Sequence, residues 1–309
     1  RYPDRNYTSL REAIGNYCGA SPAHIVVGNG STELISLLIS QRAPKKALLL
    51  GPTYSEYNRE LSLINASTET YLLQEEDDFL LNADDFLSAC TEDIDLVIIC
   101  NPNNPTSSAI QTGDMERIIR ECKKRNIFVM IDETYVEFAP CIEEITAIPL
   151  TKRYDNLMVI RGVSKFYAAP GLRFGYGITS SEAFLKSLHQ HQNPWSLNSV
   201  GAYTGELMLK DTDYFRETRA LILSERERMF ARLSHMGGYK PYAAYGNFIL
   251  VRILKEGLTS FDVFEAAIKN RLMIRDCSSF ESLTGEYIRF CIMNPEDNDR
   301  LLHVLNSLI

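Results

Sequence analysis

The chain has 309 residues, 45% of them apolar and 23% charged, and its 32 Lys and Arg against 40 Asp and Glu give a net charge of −8. At roughly 150 residues per domain this length allows about two domains, and the composition excludes a disordered chain. The acidic balance, with no long block of one sign, excludes a general nucleic-acid binder. No apolar run reaches the roughly 18 to 20 residues that span a bilayer, so a soluble protein without a membrane partner is expected. Runs such as Leu48 to Leu50 and Leu96 to Cys100 are strand-sized. Seven Cys without a CxxC pair fit a reduced, cytoplasmic compartment. The opening Arg1-Tyr2-Pro3-Asp4-Arg5 has no apolar segment of the signal-peptide kind. It also has no initiator Met, so an upstream segment is expected.

In chain order, Ile25 to Val27 reads as a buried strand, then a Gly28-Asn29-Gly30 turn and a helix through Leu34, Ile35, Leu37 and Leu38. The alternation continues with a strand at 47–50, a helix near 54–64, a strand at 70–73, a helix near 83–89, a strand at 96–100, a helix near 113–125 and a strand at 127–131. Two further strands follow at 157–161 and 174–178. Continuously apolar strands separated by helices predict an α/β fold with a mainly parallel sheet covered on both faces. From about Ser180 long charged helices are expected, including one over 214–236 that ends at Gly237-Gly238. A strand at 247–253, a helix at 261–270, short strands at 273–275 and 287–293, and a terminal helix from Pro295 complete an α+β tail. The expected division is a large domain over 1–205 and a smaller C-terminal α+β domain over 206–309, with a soft boundary.

Ligands of open α/β sheets sit beyond the carboxyl ends of the strands. There the sequence places Gly28-Asn29-Gly30-Ser31-Thr32-Glu33, a turn whose following helix offers free N–H groups to a phosphate, without the GxGxxG or P-loop patterns. It also places Asn101-Pro102-Asn103-Asn104-Pro105-Thr106 and Asp132-Glu133-Thr134-Tyr135 at strand ends. Asp132 suits either a helix cap or a cationic ring nitrogen. Arg161-Gly162-Val163-Ser164-Lys165 puts an ammonium at a strand end, where a lysine that loses its proton attacks a carbonyl, and Arg173 follows in Gly171-Leu172-Arg173.

Phosphate turn, Asp, Tyr, Asn and Lys on successive strand ends are together the equipment for pyridoxal phosphate. The chain resembles the fold type I pyridoxal-phosphate enzymes of the class I/II aminotransferase group. The motifs run in order through Tyr2-Pro3-Asp4, Gly28-Asn29-Gly30, Pro52-Thr53-Tyr54, Asn101 to Thr106, Asp132 to Tyr135, Ser164-Lys165, Gly171-Leu172-Arg173 and Arg289. Within the group it is similar to the branch containing histidinol-phosphate aminotransferase and L-threonine O-3-phosphate decarboxylase. The stretches Lys165 to Arg173 and Pro194-Trp195-Ser196-Leu197-Asn198 resemble the decarboxylase more, while transamination is the commoner activity of the fold.

The resemblance implies that Lys165 holds the cofactor as a Schiff base and moves the Cα proton. Asp132 would keep the pyridine nitrogen protonated, Asn104 and Tyr135 would bond the ring's phenolic oxygen, and Tyr54 would stack on the ring. Ser31, Thr32, Ser164 and Arg173 would hold the phosphate, and Tyr2 would reach the cofactor phosphate of a neighbouring subunit in a homodimer. Arg289 would bind the substrate carboxylate and Arg275 a substrate phosphate. A transaminase acting on a small, phosphorylated amine or amino acid with a 2-oxo acid acceptor is the narrow preference, with decarboxylation the alternative and a catalytically silent regulator a remote one. Two positions depart from the family pattern: Gly162, where a Ser or Thr is usual, and Ser107, where a Gly is usual. The five His are too dispersed to predict a metal site.

Overall fold

The computed structural model describes every residue except Arg1, Pro3 and Glu281, so of the motif Tyr2-Pro3-Asp4 only Tyr2 and Asp4 lie within the described residues. Helix α1 (Thr8–Cys18) is followed by β1 (Ile25–Asn29), α2 (Ser31–Arg42), β2 (Lys46–Gly51), α3 (Glu56–Leu63), β3 (Ser67–Leu72) and α4 (Ala83–Ala89). Then come β4 (Leu96–Cys100), α5 (Thr112–Lys124), β5 (Phe128–Asp132), β6 (Leu157–Gly162) and β7 (Phe174–Ile178). These strands form one sheet in the order β1-β7-β6-β5-β4-β2-β3, parallel except that β7 runs against both its neighbours.

Successive residues of a strand face opposite sides, so an unbroken apolar strand must be covered twice. In β4, Leu96, Ile98 and Cys100 pack with Leu34, Leu38, Tyr57, Leu61, Phe184 and Leu188, while Val97 and Ile99 pack with Ile14, Met115, Ile118 and Ile119. The second of these layers continues into the C-terminal region through Phe248, Ile249, Leu250 and Val251.

That region contains α6 (Glu182–His191), α7 (Ser199–Met208), α8 (Thr212–Ser234), β8 (Tyr239–Pro241), β9 (Phe248–Ile253), α9 (Ser260–Lys269), β10 (Arg275–Asp276), β11 (Tyr287–Cys291) and α10 (Pro295–Ser307). Its antiparallel sheet runs β10-β11-β9-β8. The stretch after Ser180 differs from the long charged helices expected. Before α8 there are two helices of 10 residues each, and the only charged residue of α7 is Glu206. The long helix starts two residues earlier than its apolar pattern, because the Asp211 side chain accepts from the Tyr214 N–H at 2.9 Å. Helix α1 carries no side-chain cap and was not anticipated from sequence.

Glu75, in the loop after β3, ties the two sheets together. It accepts from Tyr242 Oη at 2.6 Å and from Arg252, and Phe79 packs edge-on against Tyr242 at 4.9 Å. Burial works against the Glu75 charge, but the Arg252, Tyr242 and Tyr287 hydrogen bonds outweigh it and bring its pKa down to about 2. Among the described residues no helix is long and apolar enough to cross a membrane.

Candidate active site

Asp132 ends β5 and is 4% exposed. Its Oδ1 accepts from the Thr134 N–H at 2.9 Å and from Thr134 Oγ1 at 2.6 Å, while Oδ2 accepts from Tyr57 Oη at 2.8 Å. Burial raises the Asp132 pKa, opposed by those three hydrogen bonds and by the Lys165 charge. Tyr135, three residues on, is buried edge-to-face on Phe248 at 5.0 Å, and burial pushes its phenol up. The next residue after Asp132 is fully buried. Glu133 accepts from Arg161 Nε at 3.0 Å and Nη2 at 2.8 Å, from Thr146 Oγ1 at 2.9 Å and from the Ala147 N–H at 2.5 Å. Arg161 leads through Gly162 into the loop bearing Ser164 and Lys165, so one buried ion pair locks the Asp132 strand end to the Lys165 strand end. Lys165 itself is exposed in that loop.

Around the β1–α2 turn, glycines let three chain segments meet. Gly28 pairs with Gly175 across β1 and β7, and a Cβ on Gly175 would lie 2.5 Å from Ser31 N. Gly30 has φ 82, and a Cβ there would meet the Arg173 guanidinium at 2.5 Å. Ser31, Thr32 and Arg173 therefore gather at the first turn of α2, next to the strand that leads to Lys165. At Gly162, where the resemblance expects a hydroxyl, an added Cβ would lie 3.1 Å from Ser31 Oγ. The Ser31 hydroxyl stands beside the place a residue-162 side chain would take. N–H groups, a hydroxyl and a guanidinium without an ion pair among the described residues suit a phosphate, so the cradle fits the group the resemblance implies.

The segment from Asn101 to Thr106 uses two of its asparagines for structure. Asn101 spans the Ile110 and Ile145 backbones, and Asn103 donates to the Pro52 carbonyl at 2.8 Å and to Thr106 Oγ1 at 2.9 Å. Asn104 is left to accept from Arg289. Ser107 holds φ 61, the left-handed conformation that explains the usual glycine; its Oγ accepts from the Gly246 N–H at 2.8 Å.

Arg289 in β11 lies directly opposite Arg275 in β10. Arg289 also lies over the Phe248 ring at 5.0 Å, and Arg275 donates to Ser279 Oγ at 2.8 Å. Both line a cavity of about 660 Å³ together with Thr53, Tyr54, Asn58, Asn104, Ser279 and Ser282. Tyr54, just before α3, and Tyr57, in its first turn, meet edge-to-face at 5.6 Å, the first facing the cavity and the second the core. The structure thus brings Asn104, Tyr54, Arg275 and Arg289 to one cavity and Asp132, Tyr135, Lys165, Ser31, Thr32, Ser164 and Arg173 to neighbouring strand ends. Tyr2, expected to serve a neighbouring subunit, does not line this chain's own cavity: its ring is exposed and stands 4.9 Å from Trp195. Tyr57, Thr134 and Ser279 were not singled out from sequence. Thr134 sat inside a quoted motif, and Tyr57 occupies a position that reads as ordinary helix core.

Beyond these strand ends, the arrangement defines a fold type I pyridoxal-phosphate enzyme. The family model for aminotransferase class I and II matches residues 1–305, and the chain belongs to that family, whose cofactor is pyridoxal phosphate. A relative in Caldanaerobacter subterraneus subsp. tengcongensis, whose provisional name is threonine-phosphate decarboxylase, is 36% identical over all of this chain and 83% of its own length. The threonine-phosphate decarboxylase of Salmonella typhimurium is 32% identical over the same shares. The solved histidinol-phosphate aminotransferase of Clostridium acetobutylicum superposes with a TM-score of 0.93 at 31% identity, covering 100% of this chain and 90% of its own.

Proposed function

We propose that this enzyme decarboxylates a small O-phosphorylated amino acid. The observation that carries the reading is the pair of arginines set opposite each other across β10 and β11. Neither forms an ion pair with a carboxylate among the described residues, and like charges so placed repel. A substrate with two anionic groups gives each guanidinium a partner; an O-phosphorylated amino acid brings a carboxylate and a phosphate by itself, whereas histidinol phosphate has only the phosphate and transamination would fill both only with its dicarboxylate acceptor. The names of the 36% and 32% relatives support the same choice, as does the likeness of Pro194 to Asn198 to the decarboxylase. Transamination of a phosphorylated amine with a 2-oxo acid acceptor is the second reading, favoured by the close superposition on the aminotransferase.

Bound pyridoxal phosphate supplies an electron sink for the charge left at Cα when a bond there breaks. In this reading Ser31, Thr32, Ser164 and Arg173 hold its phosphate, Asp132 its ring nitrogen, Asn104 and Tyr135 its phenolic oxygen, and Tyr54 covers the ring. Lys165 binds it covalently and moves protons at the substrate Cα. Arg289 and Arg275 would orient the substrate, and that orientation would select which bond at Cα breaks. We further propose a cytoplasmic homodimer. Val200, Tyr203 and Leu207 share one face of α7 and are 68%, 65% and 52% exposed, and Tyr2 and Trp195 add two more exposed rings. The seven cysteines are all free.

The test offers O-phosphothreonine without acceptor in one reaction, and histidinol phosphate with 2-oxoglutarate in another. Acceptor-independent carbon dioxide release is expected. Glutamate formation in the second reaction, without carbon dioxide in the first, establishes transamination instead.

A further inference from the structure

Two donors on Oδ1 of Asp132 come from Thr134, two residues along the same chain, and they fix one oxygen. A carboxylate held by one oxygen still turns about its Cβ–Cγ bond. The second oxygen is fixed from a different element, by the Tyr57 hydroxyl on α3. We propose that Tyr57 is a positioning residue for Asp132, holding this carboxylate charged and aimed at the ring nitrogen of bound pyridoxal phosphate; the inference rests on the role given to Asp132 above.

The groups that face Asp132 are Tyr54 from the segment before α3, Tyr57 from α3, Cys100 from β4, Thr134 and Tyr135 from the loop after β5, and Lys165 from the loop after β6. Among the described residues only Thr134 and Tyr57 donate hydrogen bonds to its carboxylate. Burial presses the carboxyl toward its neutral form, and each donor presses back. Tyr57 is 1% exposed, and burial together with the Asp132 charge drives its own ionisation far upward, so it stays a donor throughout the working pH range. Removing it leaves Oδ2 buried without a donor. The carboxyl then takes up its proton at a higher pH, and a neutral acid no longer stabilises a protonated ring nitrogen.

The experiment uses the whole chain with Tyr57→Phe, Asp132→Asn and the double variant. Affinity of the apoprotein for pyridoxal phosphate is measured by equilibrium dialysis from pH 5 to pH 8. The Phe variant is expected to bind roughly tenfold more weakly, as for a lost hydrogen bond to a charged group. Relative to wild type, its affinity should begin to fall at a higher pH as the solution is acidified. In the Asn background the Tyr57 substitution should change nothing, because the two residues act as a unit. An equal loss in both backgrounds, or a Phe variant with unchanged affinity and pH profile, overturns the proposal. Wild-type affinity of Asp132→Asn at every pH overturns the role of Asp132 and the proposal with it. Circular dichroism checks folding. Should Phe unfold the chain, 3-fluorotyrosine at position 57, a stronger donor, should move the acid limb to lower pH, and no movement overturns the proposal.

Discussion

The two walls of the site are held by different physics. On the proposed cofactor side Asp132 and Glu133 are buried, and each carboxylate accepts several hydrogen bonds, some from other elements. On the proposed substrate side Arg275 and Arg289 are more open to solvent and are steadied by neutral groups, Ser279 and Asn104, the second of which is also the proposed contact to the cofactor's phenolic oxygen. Desolvated, fully paired charges hold a fixed geometry, as a resident cofactor needs. Open guanidiniums with neutral partners keep their charge available for an anion that arrives and leaves. In the proposed reading the buried wall holds the cofactor and the open wall meets the substrate.

The sharpest way to break that contrast is Asp132→Asn. Loaded at saturating cofactor, this variant should lose roughly a thousandfold in kcat, the scale for removing a preorganised charge from a reacting centre. Near-normal turnover would deny the buried wall its role.

The ion pair beneath that wall has a third member. Glu137 approaches Arg161 at 3.6 Å, also faces Glu133, Arg219, Tyr17 and Tyr167, and has a buried Oε2 with no hydrogen-bond partner among the described residues. Burial pushes its pKa from 4.5 up to about 7. A raised pKa contributes stability that is fully present below pH 4.5 and is lost as pH rises through 7. Glu137→Gln escapes that loss, so it should match wild type in urea unfolding at pH 4.5 and exceed it at pH 8 by up to about 3 kcal/mol. A difference that does not change with pH would show that one guanidinium serves both carboxylates.

On the open wall, Arg289→Ala should lower kcat/KM by roughly 100-fold for a phosphorylated amino acid while cofactor affinity holds, since a charged, forked contact is lost. Steady-state kinetics beside cofactor titration separate the two effects. A parallel fall in cofactor affinity would merge the walls into one unit. Ser279→Ala, which only frees Arg275, should raise KM for that substrate about threefold with kcat unchanged. An unchanged KM would remove Ser279 from the substrate wall.

Most of the strands and the polar residues at their ends were legible because buried parallel strands are unbroken apolar runs and their carboxyl ends are where such sheets bind ligands. The regions that were not legible depend on contacts between segments far apart in sequence. Tyr57 reads as helix core until the carboxyl end of β5 is seen to lie against α3. Ser279 lies in a loop whose path follows from β10 pairing with β11. Gly162 and Ser107 looked like missing parts. The first stands beside the Ser31 hydroxyl, and the second adopts the glycine-like backbone and adds a bond to Gly246.

The proposed reaction depends on Lys165 as the covalent anchor of the cofactor. Borohydride reduction of the loaded enzyme followed by peptide mapping should place the pyridoxyl label on Lys165 alone. Label on another lysine, with Lys165 unmodified, would contradict it.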